Sequence, residues 1–292
     1  RALIDAVAKT GQRAVVVASL PETLPADARQ RLASAGIAPM QGIEDCIFAV
    51  RAAAECGMRR EVVDSIVPVN SAIVAEGKIE TIDEVASKAA LAEHGLVVPK
   101  GKVCAADQTA AVATEIGFPV VLKAVSKELA HKSEAGAVAV NLQDAAAVQA
   151  ATERMAKQFD QFLVEAMAGP TVAELIVGVA RDSSFGLSLL IGTGGTLVEL
   201  LDDTASLLLP ASREDIAAAV KSLKIARVIE AYRGGLAGDL DAVLDAIEAI
   251  ARYAIAKQGE LYELDVNPLL VTPDSAVAVD AFIRVMLPAT KT

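Results

Sequence analysis

Residues 118–142 read FPVVLKAVSKELAHKSEAGAVAVNL, and this stretch decides the fold. Two valine-rich apolar runs, 119–122 and 135–142, have the length of strands rather than helices. The first ends on Lys123. Between the runs lies a polar connection that holds His131, Lys132, Ser133, Glu134 and Gly136. A strand that delivers a lysine beside a small, Gly-containing polar loop suits an anionic group such as phosphate. A surface hairpin with a solvated lysine fits the same residue types, and both readings stay open at this point.

The surrounding chain has 292 residues, 53% of them hydrophobic, which is material for two or three compact units. Its net charge of −11 opposes a nucleic-acid partner or an anionic membrane surface. Cys46, Cys56 and Cys104 lack metal-like spacing, so a reducing, cytoplasmic setting is expected. The longest uncharged run, 183–198, has 16 residues with four glycines, too short and too Gly-rich to cross a bilayer. No signal-peptide pattern is visible, and the start at Arg1 without methionine reads as part of something longer.

Toward the N-terminus, strand and helix alternate. Residues 13–19 (RAVVVAS) read as a buried strand, 25–35 as a helix with Pro25 near its start, 36–39 as a short strand, and 43–56 as an Ala-rich helix stopped by Gly57. That alternation implies a parallel sheet, but two strands are less than a complete doubly wound domain. Pro68 breaks any helix, and Glu76-Gly77-Lys78 reads as a turn, so 67–80 is expected to be a linker. Thr81 then opens a helix with Glu84 as its capping-box partner, and Lys88 rides on that helix. His94 falls in its last turn, where the helix dipole favours partial positive charge.

Toward the C-terminus, 107–116 and 145–159 read as helices and 162–167 (FLVEAM) as a strand. Residues 191–201, IGTGGTLVELL, miss the dinucleotide-binding glycine rule because Leu197 takes its third position. Residues 213–231 read as helical. Residues 240–258 carry Val243, Leu244, Ile247, Ile250, Ala251, Ala254 and Ile255 on one core-facing stripe. In the strand 260–271, alternation puts Glu263, Asp265 and Asn267 on one face. Three oxygen-bearing side chains suit Mg²⁺, a hard cation. A turn at 273–275 returns the chain as 276–283, which delivers Asp280.

The quoted stretch also resembles the phosphate-gripping hairpin of the ATP-grasp domain in NDP-forming acyl-CoA synthetases, relatives of succinyl-CoA synthetase. Glu134 and Ala137 depart from that family's Asp and second Gly. "ELDVNPLLV…AVAVDAFI" is similar to the family's metal-binding end, "VEAM" to its hinge strand, "VAELIVGVARDSSFG" and "IGTGGTLVELL" to its next two motifs, and "LASAGIAPMQGIEDCIFAV" to the tail of its CoA-ligase domain. Leu207 stands where the family carries an arginine.

The resemblance implies an α/β chain: the end of a flavodoxin-like CoA-ligase domain (1–66), a linker (67–80) and a two-lobed ATP-grasp domain (81–292). It implies that Lys88 and Lys123 face the nucleotide phosphates and that Glu165 and Met167 line the adenine edge. It places Glu174 and Glu199 near the nucleotide, Asn267 and Asp280 on Mg²⁺, and His131 as the phosphoryl carrier. The implied reaction turns an acid, CoA and ATP into acyl-CoA, ADP and phosphate. Its partners are then a small carboxylic acid, CoA, ATP or ADP, and a CoA-binding domain outside this chain; a homo-oligomer is compatible with it. Two rivals share parts of the pattern. A carboxylate–amine ligase of the same fold would not need His131, and a non-catalytic nucleotide-binding regulatory module would need no chemistry at all.

Overall fold

Local sequence explains most of the elements that carry the fold. The computed structural model describes residues 1–63, 77–125, 136–195 and 203–288, which fall in two compact units, Arg1–Val67 and Pro68–Thr292.

In the first unit, helix α1 (Ala2–Thr10) ends at Gly11, whose φ of 66° is the left-handed conformation glycine tolerates. Strands β1 (Val15–Ala18) and β2 (Ala38–Gln41) pair in parallel, as the alternation predicts. Helices α2 (Ala26–Ser34) and α3 (Ile43–Val63) pack against this pair. Two expectations change. β1 is not buried, since Val15 and Val17 remain nearly half exposed; a two-stranded sheet with helices cannot cover both faces. Helix α3 runs past Gly57 to Val63, because a single interior glycine weakens a helix by only about 1 kcal/mol.

The second unit is built on two antiparallel sheets. The larger runs in the order β10-β9-β8-β11-β13-β3, with β12 paired to β11. Its strands are β3 (Gly77–Ile82), β8 (Ala173–Asp182), β9 (Gly186–Thr193), β10 (Thr204–Leu208), β11 (Leu261–Val271), β12 (Ala276–Ala278) and β13 (Ala281–Pro288). The smaller sheet, β4-β7-β5-β6, contains β4 (Gly101–Ala105), β5 (Val120–Ala124), β6 (Val138–Leu142) and β7 (Gln161–Ala166). The 118–142 hairpin is therefore β5 and β6, antiparallel as expected.

Each sheet has one face against helices. Helices α5 (Thr109–Ile116) and α6 (Ala145–Met155) close the small sheet over Val120, Leu122, Phe162 and Val164. The large sheet buries Leu264, Val266, Leu269 and Val271 in a core with helices α4 (Glu84–Ala92), α7 (Arg213–Ser222) and α8 (Leu240–Ala256). The α8 stripe read from the sequence is buried, from Val243 to Ala254.

Three local readings are corrected. Gly77 and Lys78 belong not to a turn but to β3, which pairs with β13 at register Gly77↔Pro288 to Ile82↔Ile283. A pairing so distant in sequence leaves no local signal. Asp83 rather than Thr81 caps α4, its carboxylate accepting from the Ala86 N–H at 2.9 Å. The helix expected over 213–231 breaks at Leu223, which is extended, before a short turn at Ala226–Ile229. Asp203 accepts the Lys224 and Ile225 N–H groups at 2.9 and 3.2 Å and holds that break in place.

Candidate functional site

Side-chain alternation in β5 turns Val120, Leu122 and Ala124 toward α5 and α6 and leaves Lys123 on the opposite face. In β7 the same rule buries Phe162 and Val164 under the helices and sends Glu165 to the face of Lys123. Helix α4 adds Glu84 and Lys88, four residues apart and hence on one side of the helix. All four charged residues are buried, at 3–7% exposure.

They contact one another directly. Glu84 Oε1 accepts from Lys88 Nζ at 2.7 Å and from Lys123 Nζ at 2.7 Å. The Glu165 carboxylate accepts from Lys88 through Oε1, and its Oε2 forms an ion pair with Lys123 at 3.1 Å. The Val279 carbonyl takes a further bond from each lysine, at 3.3 Å from Lys88. Burial alone would lower the Lys123 pKa, but Glu84, Glu165 and Asp280 outweigh it and raise the pKa above its ordinary value. Neither lysine is the solvated surface group that residue type alone allowed.

Glycine makes room for this arrangement. A Cβ on Gly101, opposite Glu165 in the β4–β7 ladder, would lie 2.7 Å from Glu165 Cγ and 3.1 Å from the Val164 carbonyl. Only a residue without a side chain lets the Glu165 stem pass.

Val279 leads directly to Asp280 in the connection between β12 and β13. The expected continuous return strand 276–283 is thus two strands, with Val279 and Asp280 in the break. There the Asn267 N–H donates to the Asp280 carbonyl at 3.3 Å, and the Val279 N–H donates to the Pro268 carbonyl at 3.3 Å. The structure therefore brings Asn267 and Asp280 together, next to the lysine pair. Asp265, two residues before Asn267, is pushed up to about 6 by burial, then by the charges of Glu263 and Asp280. Glu263 itself points to Arg284, at 3.0 Å, and does not join the group.

Among the described residues no group of three or more His, Cys, Asp or Glu side chains forms a metal cage. Two oxygen donors, Asn267 and Asp280, crowded by a carboxylate that resists ionisation, fit a cation such as Mg²⁺ that takes its other ligands from water or phosphate.

Glu174 lies on β8 opposite Leu270 of β11. Its carbonyl accepts from the Gly194 N–H at 2.7 Å, and a Cβ on Gly195 would stand 3.3 Å from Glu174 Oε2. Glu174 thus adjoins the glycine loop but is not among the residues that contact the lysines. Met167 follows β7; it is 40% exposed and its N–H donates to the Pro119 carbonyl at 3.2 Å. His94 is structural, with Nδ1 3.1 Å from the Ala90 carbonyl and its ring edge-on to Tyr253 at 5.2 Å. His131 and Glu199 lie outside the described residues.

By sequence Glu84 reads as a capping residue, and the family likeness places Glu165 at the adenine edge. The i,i+4 spacing of Glu84 and Lys88 was the signal that joined the first to the site. Nothing local foretold the second.

Residues 73–285 match a family model described as an ATP-grasp domain, so the match begins inside the stretch expected to be a linker. Over 220 residues the chain is 31% identical to the beta subunit of ADP-forming acetate–CoA ligase I from Pyrococcus furiosus, covering 72% of this chain and 94% of that subunit. It is 33% identical over 202 residues to ADP-forming acetate–CoA ligase II of Archaeoglobus fulgidus, covering 68% of this chain and 29% of that longer protein. Among solved structures, it superposes on dinucleotide-forming acetyl-coenzyme A synthetase 1 of Ca. Korarchaeum cryptofilum, bound to coenzyme A and Mg-AMPPCP with its phosphohistidine segment pointing towards the nucleotide binding site. The TM-score is 0.63 at 32% identity, with 71% of this chain and 93% of that one covered. Sequence, fold and neighbours agree, and the chain belongs to the ATP-grasp family, on the branch of the ADP-forming acyl-CoA synthetases.

Proposed function

We propose that this chain binds Mg-ATP and transfers its phosphoryl group within an ADP-forming acyl-CoA synthetase, which converts an acid, CoA and ATP into acyl-CoA, ADP and phosphate. The observation that carries the reading is the convergence of Lys88 and Lys123, from two different elements, on the break that bears Asp280 beside Asn267. Phosphoryl transfer depends chiefly on positioning and on charge stabilisation, which such a site supplies.

In this reading Lys88 and Lys123 hold the nucleotide phosphates, and Glu165, Met167, Glu174 and Glu199 border the nucleotide. Asn267 and Asp280 would hold Mg²⁺, which when bound offsets phosphate charge. The His131 imidazole attacks the terminal phosphorus of ATP and ADP leaves; the phosphoryl group then passes toward a CoA-binding domain. The Arg1–Val67 unit is read as the end of a flavodoxin-like CoA-ligase domain, supported by its parallel β1–β2 pair flanked by α2 and α3. The proposed limits are 1–66 for this unit and an ATP-grasp domain that starts before residue 81, since β3 pairs with β13 and the family match begins at residue 73. Among the described residues no helix is long and apolar enough to cross a membrane.

The test is phosphorylation of the whole chain with terminally labelled ATP and Mg²⁺. Acid-labile, base-stable label that disappears in His131→Ala is expected. Nucleotide binding without label would favour the carboxylate–amine ligase rival, and no nucleotide binding would favour the regulatory module.

A further inference from the structure

Glu84 is a residue that neither the motifs nor the family match assigns to the nucleotide. Each lysine ammonium has three N–H donors. Lys88 donates to the Glu84 carboxylate, the Glu165 carboxylate and the Val279 carbonyl; Lys123 donates to Glu84 and Val279 and forms an ion pair with Glu165 at 3.1 Å, so the same three groups surround both ammoniums. An incoming phosphate therefore competes with these groups for the lysines.

The two carboxylates are not equivalent. Glu165 reaches the lysines through separate oxygens, Oε1 to Lys88 and Oε2 to Lys123. Glu84 takes both ammoniums on the single atom Oε1, at 2.7 Å each. The separation of the two nitrogens thus cannot exceed twice that distance. Two like charges this close, in a buried site, repel strongly unless an opposite charge lies between them. Glu84 is also fixed relative to one of the pair, since it sits one turn before Lys88 on α4. Withdrawal of Glu165 would leave the ammoniums bracketed. Withdrawal of Glu84 would leave them on one shared atom that carries no full charge, the Val279 carbonyl oxygen, and on the two separate oxygens of Glu165.

We infer that Glu84 is a positioning residue for nucleotide binding, one that holds Lys88 and Lys123 as a single two-ammonium unit for phosphate while Glu165 is the partner that phosphate replaces. This rests on the proposed nucleotide site. The experiment is calorimetric titration of the whole chain with Mg-ADP for the wild type, Glu84→Gln, Lys123→Met and the double variant, with Glu84→Asp as the conservative change.

Glu84→Gln, which keeps shape and loses charge, should weaken Mg-ADP binding about tenfold or more, the worth of a charge-assisted contact. The double variant should bind no worse than the weaker single one, because the pair that Glu84 spaces is already gone. Glu84→Asp should restore much of the loss. Equal or tighter binding in Glu84→Gln would overturn the inference, because Glu84 would then be a competitor of phosphate. Fully additive losses would overturn it too, as the mark of a merely structural role. If Glu84→Gln does not fold, Glu84→Asp decides: intermediate affinity supports the inference, and wild-type affinity ends it. Wild-type protein that binds no Mg-ADP would refute the nucleotide site itself, which is a separate failure.

Discussion

Replacing Lys123 with methionine removes one of two buried cations and keeps the length of the stem. Glu84 and Glu165 would then lose one of the two cations they share, with Asp280 nearby, and the buried negative charge would lose part of its compensation. Breaking one partner out of a buried ion pair destabilises by about 3–5 kcal/mol. For a unit of this size each kcal/mol moves the melting temperature by roughly 2–4 °C, so a drop of roughly 6–20 °C is expected. Adding Glu165→Gln should recover most of it, because the double variant again balances the charge. Thermal melts of the wild type and both variants, followed by circular dichroism in metal-free buffer, give the answer. Nucleotide affinity should not return with stability, since the cation stays lost. A single variant that melts within about 2 °C of wild type would refute the reasoning. The pH dependence follows with a definite sign: the raised Lys123 pKa stabilises the fold below its ordinary value of 10.5, and that contribution is lost as pH rises past it.

Three further predictions concern neighbouring groups. Asp265→Asn should stabilise the metal-free protein at pH 7 by up to about 3 kcal/mol, since a carboxyl raised from 3.8 to about 6 is strained when ionised. The strain is present above pH 6 and fades as pH falls toward 4, so the wild-type advantage of acidification should vanish in the variant; a lower melting temperature in EDTA at pH 7 would contradict it. Gly101→Ala should displace Glu165, because the new methyl would meet Glu165 Cγ at 2.7 Å, and overpacking of this kind costs about 1–3 kcal/mol; urea unfolding with an unchanged midpoint would count against it. Asp280→Ala should abolish the Mg²⁺ dependence of ADP binding while the chain stays folded, and unaltered Mg-ADP affinity by calorimetry would reject Asp280 as a ligand.

The parts of the fold that could be read from sequence are those whose periodicity is local. The α8 stripe repeats at helical spacing, β11 carries an alternating pattern, and the 118–142 hairpin shows two strand-length runs around a polar loop. The family likeness then ordered Lys88, Lys123, Asn267 and Asp280 along the chain, and the structure brings all four to one region. What was misread depended on distant partners. β3 looked like a turn at Gly77-Lys78 because its pairing with β13 lies some two hundred residues away in sequence. Thr81 and Asp83 are both good caps, and only the closed helix selects Asp83. The likeness puts Glu165 at the adenine edge, and its pairing with the lysines emerges only when β7 lies beside β5 and Gly101 clears its path. His131 and Glu199, both expected from the likeness, lie outside the described residues.

The most direct measurement of the nucleotide site is calorimetric titration of ADP into the whole chain, with and without Mg²⁺. The account predicts one saturable site that needs Mg²⁺, because among the described residues Glu84, Glu165, Asp265 and Asp280 outnumber Lys88 and Lys123, and a bare polyphosphate would meet an excess of negative charge there. Heat of binding that persists unchanged in EDTA, or no heat in the presence of Mg²⁺, would contradict it.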